Sequence, residues 1–236
     1  MNRLKELRSE LKLASSPDKA ISSARFFKTN PGEYGEGDEF IGVTVPEQHK
    51  IAKRYKDLSL VDLDVLITSK VHEERLTAIF ILVLQYSSGD NAKKEAIYNF
   101  YLLHLEDINN WDLVDSSAEY IVGGWLMNKD KTMLTRLAKS KTIWERRIAM
   151  LSTFHFIKNG DPSDALNIAE LLIHDNHDLI QKAVGWMLRE IGKRCSQEIE
   201  EKFLAKRYKT MPRTTLRYAI ERFPEKLRRQ YLEGSI

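Results

Sequence analysis

The sequence predicts an all-α protein built of successive helix pairs, and three observations support this fold class. Apolar residues recur at helical spacing, beginning with Leu4, Leu7 and Leu11. Helix start signals occur along most of the chain, whereas the alternation typical of strands is confined to 40–45. Segments with one shared pattern also return at a regular interval, which indicates an internal repeat. We therefore expect one helical domain spanning residues 1–236.

Helix start signals mark the elements in chain order. Thr44-Val45-Pro46-Glu47 and Ser59-Leu60-Val61-Asp62 each combine a Ser or Thr cap with an acidic residue three positions later. A buried helix is expected around 78–86, where apolar residues dominate. Pro162 and Pro212 lie where further helices can begin, because proline is favoured in the first helical turn.

One irregular segment interrupts this helical pattern. Residues 30–38 read Asn-Pro-Gly-Glu-Tyr-Gly-Glu-Gly-Asp, and their turn-forming residues disfavour a helix. We expect an exposed glycine-rich loop at about 30–42.

Three segments share a polar loop that leads into a basic residue and then into apolar residues. They are His72–Ala78, Trp144–Ala149 and Ile180–Val184. Arg75 and Arg147 are 72 residues apart and Lys182 follows 35 residues later, so a period near 36 fits both intervals. This period predicts a solenoid of roughly six two-helix units. Compact HEAT-like antiparallel pairs fit better than tetratricopeptide repeats, whose Trp and Leu-Gly pattern is missing.

Equivalent positions of stacked repeats line up along one surface. Arg75, Trp111, Arg147 and Lys182 fall at such positions and are expected to form a row along the concave face. A row of cations interrupted by an indole suits a nucleic acid, because cations neutralise phosphates while the indole packs on sugar or base. The alternative is that these basic residues flank the repeat helices and extend into solvent. The spacing leaves both interpretations open.

The C-terminal part of the chain is strongly basic. The formal net charge of the whole chain is +3, but residues 182–229 carry +8 and the remainder carries −5. Such asymmetry indicates contact with a polyanion, although a solvated helical surface rich in Lys and Arg has the same composition.

Several protein classes are excluded. The single cysteine, Cys195, excludes an internal disulfide framework and a cysteine-rich zinc site. No apolar stretch is long enough to cross a bilayer and no signal-peptide core is present, so we expect a cytoplasmic protein. Nucleotide-binding and nucleophile-elbow motifs are missing, and no cofactor is expected. The segment His174-Asp175-Asn176-His177-Asp178 lacks a distant partner, so no metal site is expected.

The segment 109–115, Asn-Asn-Trp-Asp-Leu-Val-Asp, is the most informative stretch. Trp111 and Asp115 are four residues apart and share one face of a helix. Asp115 has a structural interpretation, in which it bonds a helix end or an arginine. It also has a functional one, in which it stabilises a developing positive charge or orients water. Asp112 competes for either role.

Trp186 is the second notable aromatic residue. Its helical spacing among apolar residues is typical of a core position. Gly185 beside it allows another backbone or a ligand to approach closely.

Three motifs resemble those of the AlkD-type DNA alkylation repair family. They are Asn110-Trp111-Asp112-Leu113-Val114-Asp115-Ser116, Trp144-Glu145-Arg146-Arg147, and Ile180-Gln181-Lys182-Ala183-Val184-Gly185-Trp186-Met187-Leu188-Arg189-Glu190. The last motif is the most specific, and the resemblance extends from about Ala24 to Arg222.

Membership of this family would imply a right-handed superhelix of HEAT-like repeats whose concave face holds double-stranded DNA. It would also imply a monofunctional glycosylase, a monomer in our expectation, that releases N3- and N7-alkylated purines without a metal or cofactor. Such purines are cationic, so the glycosidic bond is already weakened. The family is thought to act while the lesion stays in the stack, unlike base-flipping glycosylases.

The resemblance also assigns roles to individual residues. Asp115 would face the sugar, stabilise its positive charge and orient the water. Trp111 and Trp186 would pack against the deoxyribose, and Arg147 would hold a nearby phosphate. In the basic C-terminal region, Arg213 and Arg217 are further candidates for phosphate contacts, as Lys182 and Arg75 are in the repeat row.

The chain departs from the family pattern at three places. Asn110 stands where the well-studied members have a second aromatic residue, Phe26 stands where a tyrosine is expected, and the segment 31–39 resembles an insertion. These departures keep two alternatives open: a non-catalytic DNA-structure binder of the same fold and a helical-repeat scaffold for protein interactions.

Overall fold

The computed structural model describes residues 3–236, and its regular elements are helices. The predicted all-α fold class is therefore confirmed. The strand-like stretch at 40–45 forms no strand, and only an isolated parallel bridge between Glu39 and Val71 lies beside it. No helix in this described range is long and apolar enough to span a membrane.

The backbone divides into two compact units, one ending at Ile121 and the other beginning at Val122. The helices of the first unit are α1 (Arg3–Leu13), α2 (Pro17–Phe26), α3 (Val45–Arg54), α4 (Leu60–Ile67), α5 (His72–Ser88), α6 (Asn91–Leu103) and α7 (Trp111–Asp115). Helix α5 is the centre of this unit, since α1, α3, α4, α6 and α7 all pack against it. It is buried on most sides, as expected for a helix with neighbours all around.

A π-helical turn covers Glu119–Gly123, where the first unit gives way to the second. The helices of the second unit are α8 (Gly124–Leu126), α9 (Thr132–Ala138), α10 (Ile143–Ser152), α11 (Phe154–Lys158), α12 (Ser163–Leu172), α13 (Asp178–Arg194), α14 (Gln197–Ala205), α15 (Arg213–Ala219) and α16 (Glu225–Glu233), with a 3-10 turn at Ile220–Arg222. Helix α13 is the centre of this unit and packs against α10, α11, α12, α14 and α15.

The three repeated sequence segments begin the helices α5, α10 and α13. Arg75, Arg147 and Lys182 lie near the N-terminal ends of these helices, so the repeat marks equivalent positions in the fold. The predicted cap at Ser59 is confirmed, because its hydroxyl accepts a hydrogen bond from the backbone N–H of Asp62.

Gly185 brings α13 close to α15. A Cβ atom at this position would lie 2.5 Å from the carbonyl oxygen of Thr215 and 2.5 Å from Cβ of Tyr218. The close approach permitted by this glycine is therefore used by a helix.

Exposed residues occur along most of the loop at 30–42, including Gly37 and Glu39, although Gly35 is buried within it. Pro31 and Gly32 are exposed, whereas Gly42 and Val43 are buried. The carboxylate of Glu73 accepts hydrogen bonds from the backbone N–H groups of Ile41, Gly42 and Val43. The loop is therefore exposed over much of its length, and its C-terminal end is bound to the central helix α5 through backbone groups.

Candidate active site

Helix α7 presents the two residues that the sequence singled out. Asn110 precedes the helix, and its side-chain oxygen accepts a hydrogen bond from the backbone N–H of Trp111 at 2.8 Å. Trp111 and Asp115 are half-buried, whereas the three residues between them are buried. The first and last residues of α7 therefore share its more accessible side, as the four-residue spacing predicts.

Asp115 lines a cavity of about 320 Å³ in the first unit. The other lining residues are His49, Phe80, Val83, Leu84, Ser116 and Tyr120. Most of this wall is apolar or aromatic, and the imidazole of His49 stacks on Phe80 with ring centroids 3.7 Å apart. A carboxylate beside such a wall acts on nearby charge more strongly than it does in bulk water, because the local dielectric constant is lower.

His49 is held toward its neutral form. Burial disfavours the imidazolium and the ammonium group of Lys53 repels it, so the pKa of His49 is lowered from 6.5. The cavity therefore combines the carboxyl group of Asp115 with an imidazole that is held toward its neutral form.

Trp111 belongs to a stack of aromatic rings. Its indole is nearly parallel to Phe27, with ring centroids 5.2 Å apart, and Phe27 in turn stacks on Phe40 at 5.1 Å. The exposed ring of Phe26 meets Trp111 edge to face at 5.8 Å. These contacts fix the indole plane from one side, and such aromatic pairs contribute roughly 0.5–1.5 kcal/mol each.

Asp112, the competing acid, points to a different environment. Its Oδ2 accepts a hydrogen bond from Nε2 of His72 at 2.8 Å, and Nδ1 of His72 donates to Oδ2 of Asp38 at 2.9 Å. Both ring nitrogens of His72 thus face carboxylates, which only accept, so the geometry requires the doubly protonated ring. The Oδ1 atom of Asp112 accepts from the backbone N–H of Leu113. Asp112 therefore has a structural role in the first turn of α7.

The charge states of His72 and Asp38 follow from the groups that surround them. Burial disfavours the imidazolium of His72, but hydrogen bonds to Asp112 and Asp38 outweigh it and raise the pKa to about 8. Burial also opposes the charge on Asp38, yet the hydrogen bond from His72 and the positive charge of Arg75 hold the pKa of that carboxyl below 3.8.

Arg75 lies inside this network, so the expectation that it contacts a phosphate is corrected. Its Nη2 donates to Oδ1 of Asp38 at 2.6 Å and to Oδ1 of Asn109 at 3.2 Å, and its Nη1 donates to the carbonyl oxygen of Ser69. Arg75 is 4% exposed. A buried guanidinium with a carboxylate partner has no surface to offer to a phosphate.

In the second unit, Arg147 and Lys182 lie on the adjoining helices α10 and α13. Arg147 is 6% exposed and its Nη1 donates to the carbonyl oxygen of Leu179 at 2.5 Å, which ties α10 to the start of α13. Lys182 is half-exposed and pairs with Asp178 at 2.6 Å. Of these two cations, Lys182 is the more accessible to a ligand.

Trp186 and two further arginines lie on α13 and α15, which pack against each other. Trp186 is half-buried and its ring is tilted against Phe154, with centroids 5.9 Å apart. Arg213 and Arg217 are exposed, and Arg217 lines a second cavity of about 320 Å³ together with Arg228. The structure therefore offers an aromatic residue and accessible cations on neighbouring helices of the second unit.

The histidine-rich segment at 174–178 serves a structural purpose. Asp175 accepts a hydrogen bond from Nε of Arg146 at 2.7 Å, and its backbone carbonyl accepts from Gln181. Within residues 3–236 no group of three or more His, Cys, Asp or Glu side chains is arranged to hold a metal ion.

Sequence reasoning missed Asp38, His72 and His49. His72 begins one of the repeated segments and Asp38 ends the glycine-rich loop, but nothing in their spacing indicates that they meet. His49 follows the predicted helix start at Thr44, which placed it on a helix without indicating that this helix borders Asp115.

Comparison with known proteins identifies the family. The family model described as DNA alkylation repair enzyme matches residues 7–223, which is most of the chain. The chain belongs to this family. The motifs around Trp111, Trp144 and Trp186 all lie within the matched range.

Several solved structures have a similar fold. A protein from Enterococcus faecalis, described as a predicted DNA alkylation repair enzyme, is 16% identical with a TM-score of 0.69, over 89% of this chain and 97% of that one. AlkD2 from Streptococcus mutans is 17% identical with a TM-score of 0.55, over 94% and 97% of the two chains. The protein smu.31 from Streptococcus mutans UA159 is 20% identical with a TM-score of 0.53, over 77% and 93%.

At this level of identity the similarities show the fold alone. A search among curated proteins finds no match.

Proposed function

We propose that this member of the DNA alkylation repair family is a monofunctional glycosylase. Its substrates are cationic N3- or N7-alkylated purines in double-stranded DNA, and it hydrolyses the N-glycosidic bond. The observation that supports this proposal is that the two acidic residues of α7 lie in different surroundings. Asp112 is buried against His72, whereas Asp115 is half-buried and lines the cavity on the same side of the helix as Trp111.

The chemistry needs little besides a well-placed carboxylate. The positive charge on the alkylated base already weakens the glycosidic bond, so the base leaves with the bonding electron pair and becomes neutral. The sugar acquires positive charge at C1′, which Asp115 stabilises and to which water adds, releasing one proton. Stabilisation of a charge that develops only in the transition state lowers the barrier by several kcal/mol.

Trp111 and Trp186 are proposed to pack against the deoxyribose of the lesion. Indole faces attract cationic groups with roughly 0.5–2 kcal/mol, so they complement the developing charge as well as the sugar surface. Lys182, Arg213 and Arg217 are proposed to bind phosphates of the duplex, because all three retain exposed surface. Arg147 is also proposed to contact a phosphate near the lesion, but it is 6% exposed and donates to the carbonyl oxygen of Leu179, so its guanidinium must turn out of this contact to reach DNA.

Base release from alkylated DNA tests the proposal. Purified protein is incubated with a duplex carrying 7-methylguanine, and free base is measured by chromatography. We expect release by the native protein and a loss of roughly 10²-fold or more in Asp115→Asn. The matched control Asp18→Asn, an exposed aspartate on α2, should keep full activity. Undiminished release in Asp115→Asn contradicts the role of this carboxylate.

A second function, non-catalytic binding of DNA structures, is favoured by Asn110. This fully buried residue caps α7 and bonds to Asp38, so no second aromatic side chain stands at this position. The alternative predicts salt-sensitive DNA binding without base release. Failure to bind DNA at low salt would favour a scaffold for protein interactions.

A further inference from the structure

The glycine-rich loop ends in a carboxylate that is bound from three directions. The side chain of Asp38 is 5% exposed. Its Oδ2 accepts from Nδ1 of His72 at 2.9 Å and from Nδ2 of Asn110 at 3.1 Å, and its Oδ1 accepts from Arg75 at 2.6 Å. One loop residue thus joins the central helix α5 to the first turn of α7.

This network holds helix α7 at two points. Asn110 uses one end of its amide to cap α7 and the other to bond Asp38. His72 reaches the same helix through Asp112. Because α7 has only five residues, few of its own backbone hydrogen bonds fix its position, and it depends on such tertiary contacts.

The ring stack adds a direct path from this network to the indole. The imidazole of His72 lies 4.6 Å from the ring of Phe40 and 4.9 Å from that of Phe27, and Phe27 stacks on Trp111. A shift of the loop or of His72 therefore moves the surface on which Trp111 rests.

We propose that Asp38 and His72 are positioning residues that fix α7, and with it Trp111 and Asp115, against the wall of the cavity. The loop at 30–42 thereby has a function, since it supplies the carboxylate that holds this site in place. The activity consequence rests on the proposed glycosylase function, whereas the structural consequence does not.

The charged groups that face His72 are Asp38 from the loop, Asp112 from α7 and Arg75 from its own helix. Deprotonation removes one of the two ring donors, so one carboxylate loses its hydrogen bond. One of the two hydrogen bonds by which His72 joins α5 to the loop and to α7 is then lost. The pKa of His72, about 8, places this change at mildly alkaline pH.

The first test follows the indole N–H resonance of Trp111 by two-dimensional NMR, with the resonance assigned from a Trp111→Phe sample. In the native protein we expect one transition with a midpoint near pH 8, and in His72→Gln we expect none. This measurement needs neither DNA nor activity. A Trp111 resonance that stays constant through the titration overturns the proposal.

The second test compares two matched substitutions. Asp38→Asn removes the charge that faces His72, and Asp107→Asn does the same at His104, a second buried histidine between two aspartates of the first unit. We expect Asp38→Asn to shift the Trp111 resonance and Asp107→Asn to leave it in place. If both variants shift it equally, the effect is a general loss of charge and the proposal fails.

The third test measures single-turnover base release and DNA affinity in the same variants. A displaced catalytic group lowers the rate by up to about 10²-fold, so we expect Asp38→Asn to lose rate while its affinity for undamaged duplex changes less than about twofold. Equal losses of rate and affinity contradict a positioning role. If the native protein releases no base, the glycosylase proposal fails, while the NMR result still decides whether Asp38 and His72 position Trp111.

Discussion

Nε2 of His72 lies 2.8 Å from Oδ2 of Asp112, so the first aspartate of α7 is bound to the central helix of its unit. The second aspartate, Asp115, lies three residues later at an open cavity. Asp112 is therefore part of the support of the helix, and Asp115 lines the cavity at which we propose the chemistry. This division of roles leads to the first prediction.

Asp112→Asn should destabilise the protein more than Asp115→Asn does. Asp112 is buried and receives a hydrogen bond from a charged donor, so its loss should cost about 1–3 kcal/mol of unfolding free energy. Asp115 is half-buried, so Asp115→Asn should lower the unfolding free energy by less than about 1 kcal/mol. Urea denaturation of both variants measures the difference, and the reverse order would show that Asp115 is the structural acid.

Stability should fall with rising pH through the titration of His72. The pKa of this group is raised from 6.5 to about 8, so its contribution is fully present below pH 6.5 and is lost as the pH rises through about 8. The loss is expected to be about 2 kcal/mol. Urea unfolding of the native protein and His72→Gln at several pH values isolates this contribution, and the difference between them should shrink toward high pH. If the difference in unfolding free energy between the native protein and His72→Gln does not depend on pH, the titration of His72 does not cause the loss of stability.

Glu200→Gln should stabilise the protein at alkaline pH. Burial raises the pKa of Glu200 from 4.5 to about 8, Glu201 adds repulsion, and Oε1 has no hydrogen-bond partner. The folded protein therefore holds a proton that the unfolded chain releases, and native stability falls as the pH rises through about 8.

The glutamine side chain in Glu200→Gln cannot ionise. The unfolding free energy of this variant, relative to that of the native protein, should therefore increase by about 2 kcal/mol between about pH 6 and pH 8. Thermal unfolding across this range is the measurement. Glu201→Gln, at a less buried neighbouring position, is the control. An equal gain in both variants would point to net charge instead of burial.

Arg217→Gln should weaken DNA binding by about the same factor for every sequence. A cation that contacts a phosphate releases a counterion, so the slope of log affinity against log salt should fall by about 1. Fluorescence anisotropy over a salt series measures this slope. Lys202, also exposed but paired with Glu198 on α14, offers the control Lys202→Gln. An unchanged slope in Arg217→Gln would remove this residue from the DNA interface.

Local patterns predicted the helices with good accuracy. The start at Ser59, the helices begun by the repeated segments and the helical placement of Trp111 and Asp115 depend on short-range spacing and capping. These are interactions between residues a few positions apart, which the order of residues specifies directly. The motif resemblance likewise pointed to the family that the comparison established.

The same patterns misjudged Arg75 and did not indicate which residues the glycine-rich loop contacts. A basic residue at a repeat position is equally compatible with a surface row and with a buried ion pair, and spacing does not reveal where its counter-charge lies. Asp38 is 34 residues from His72 and 72 residues from Asn110 along the chain. Only the folded first unit brings these groups together.

The sequence by itself determined the all-α class, the positions where the central helices begin and the pairing of an indole with a carboxylate on one helical face. Tertiary structure decided which acid of α7 lines the cavity and which one His72 binds. The physical reason is that helical periodicity defines the direction of a side chain relative to its own helix. Its partners, its burial and its charge state depend on neighbours brought from distant parts of the chain.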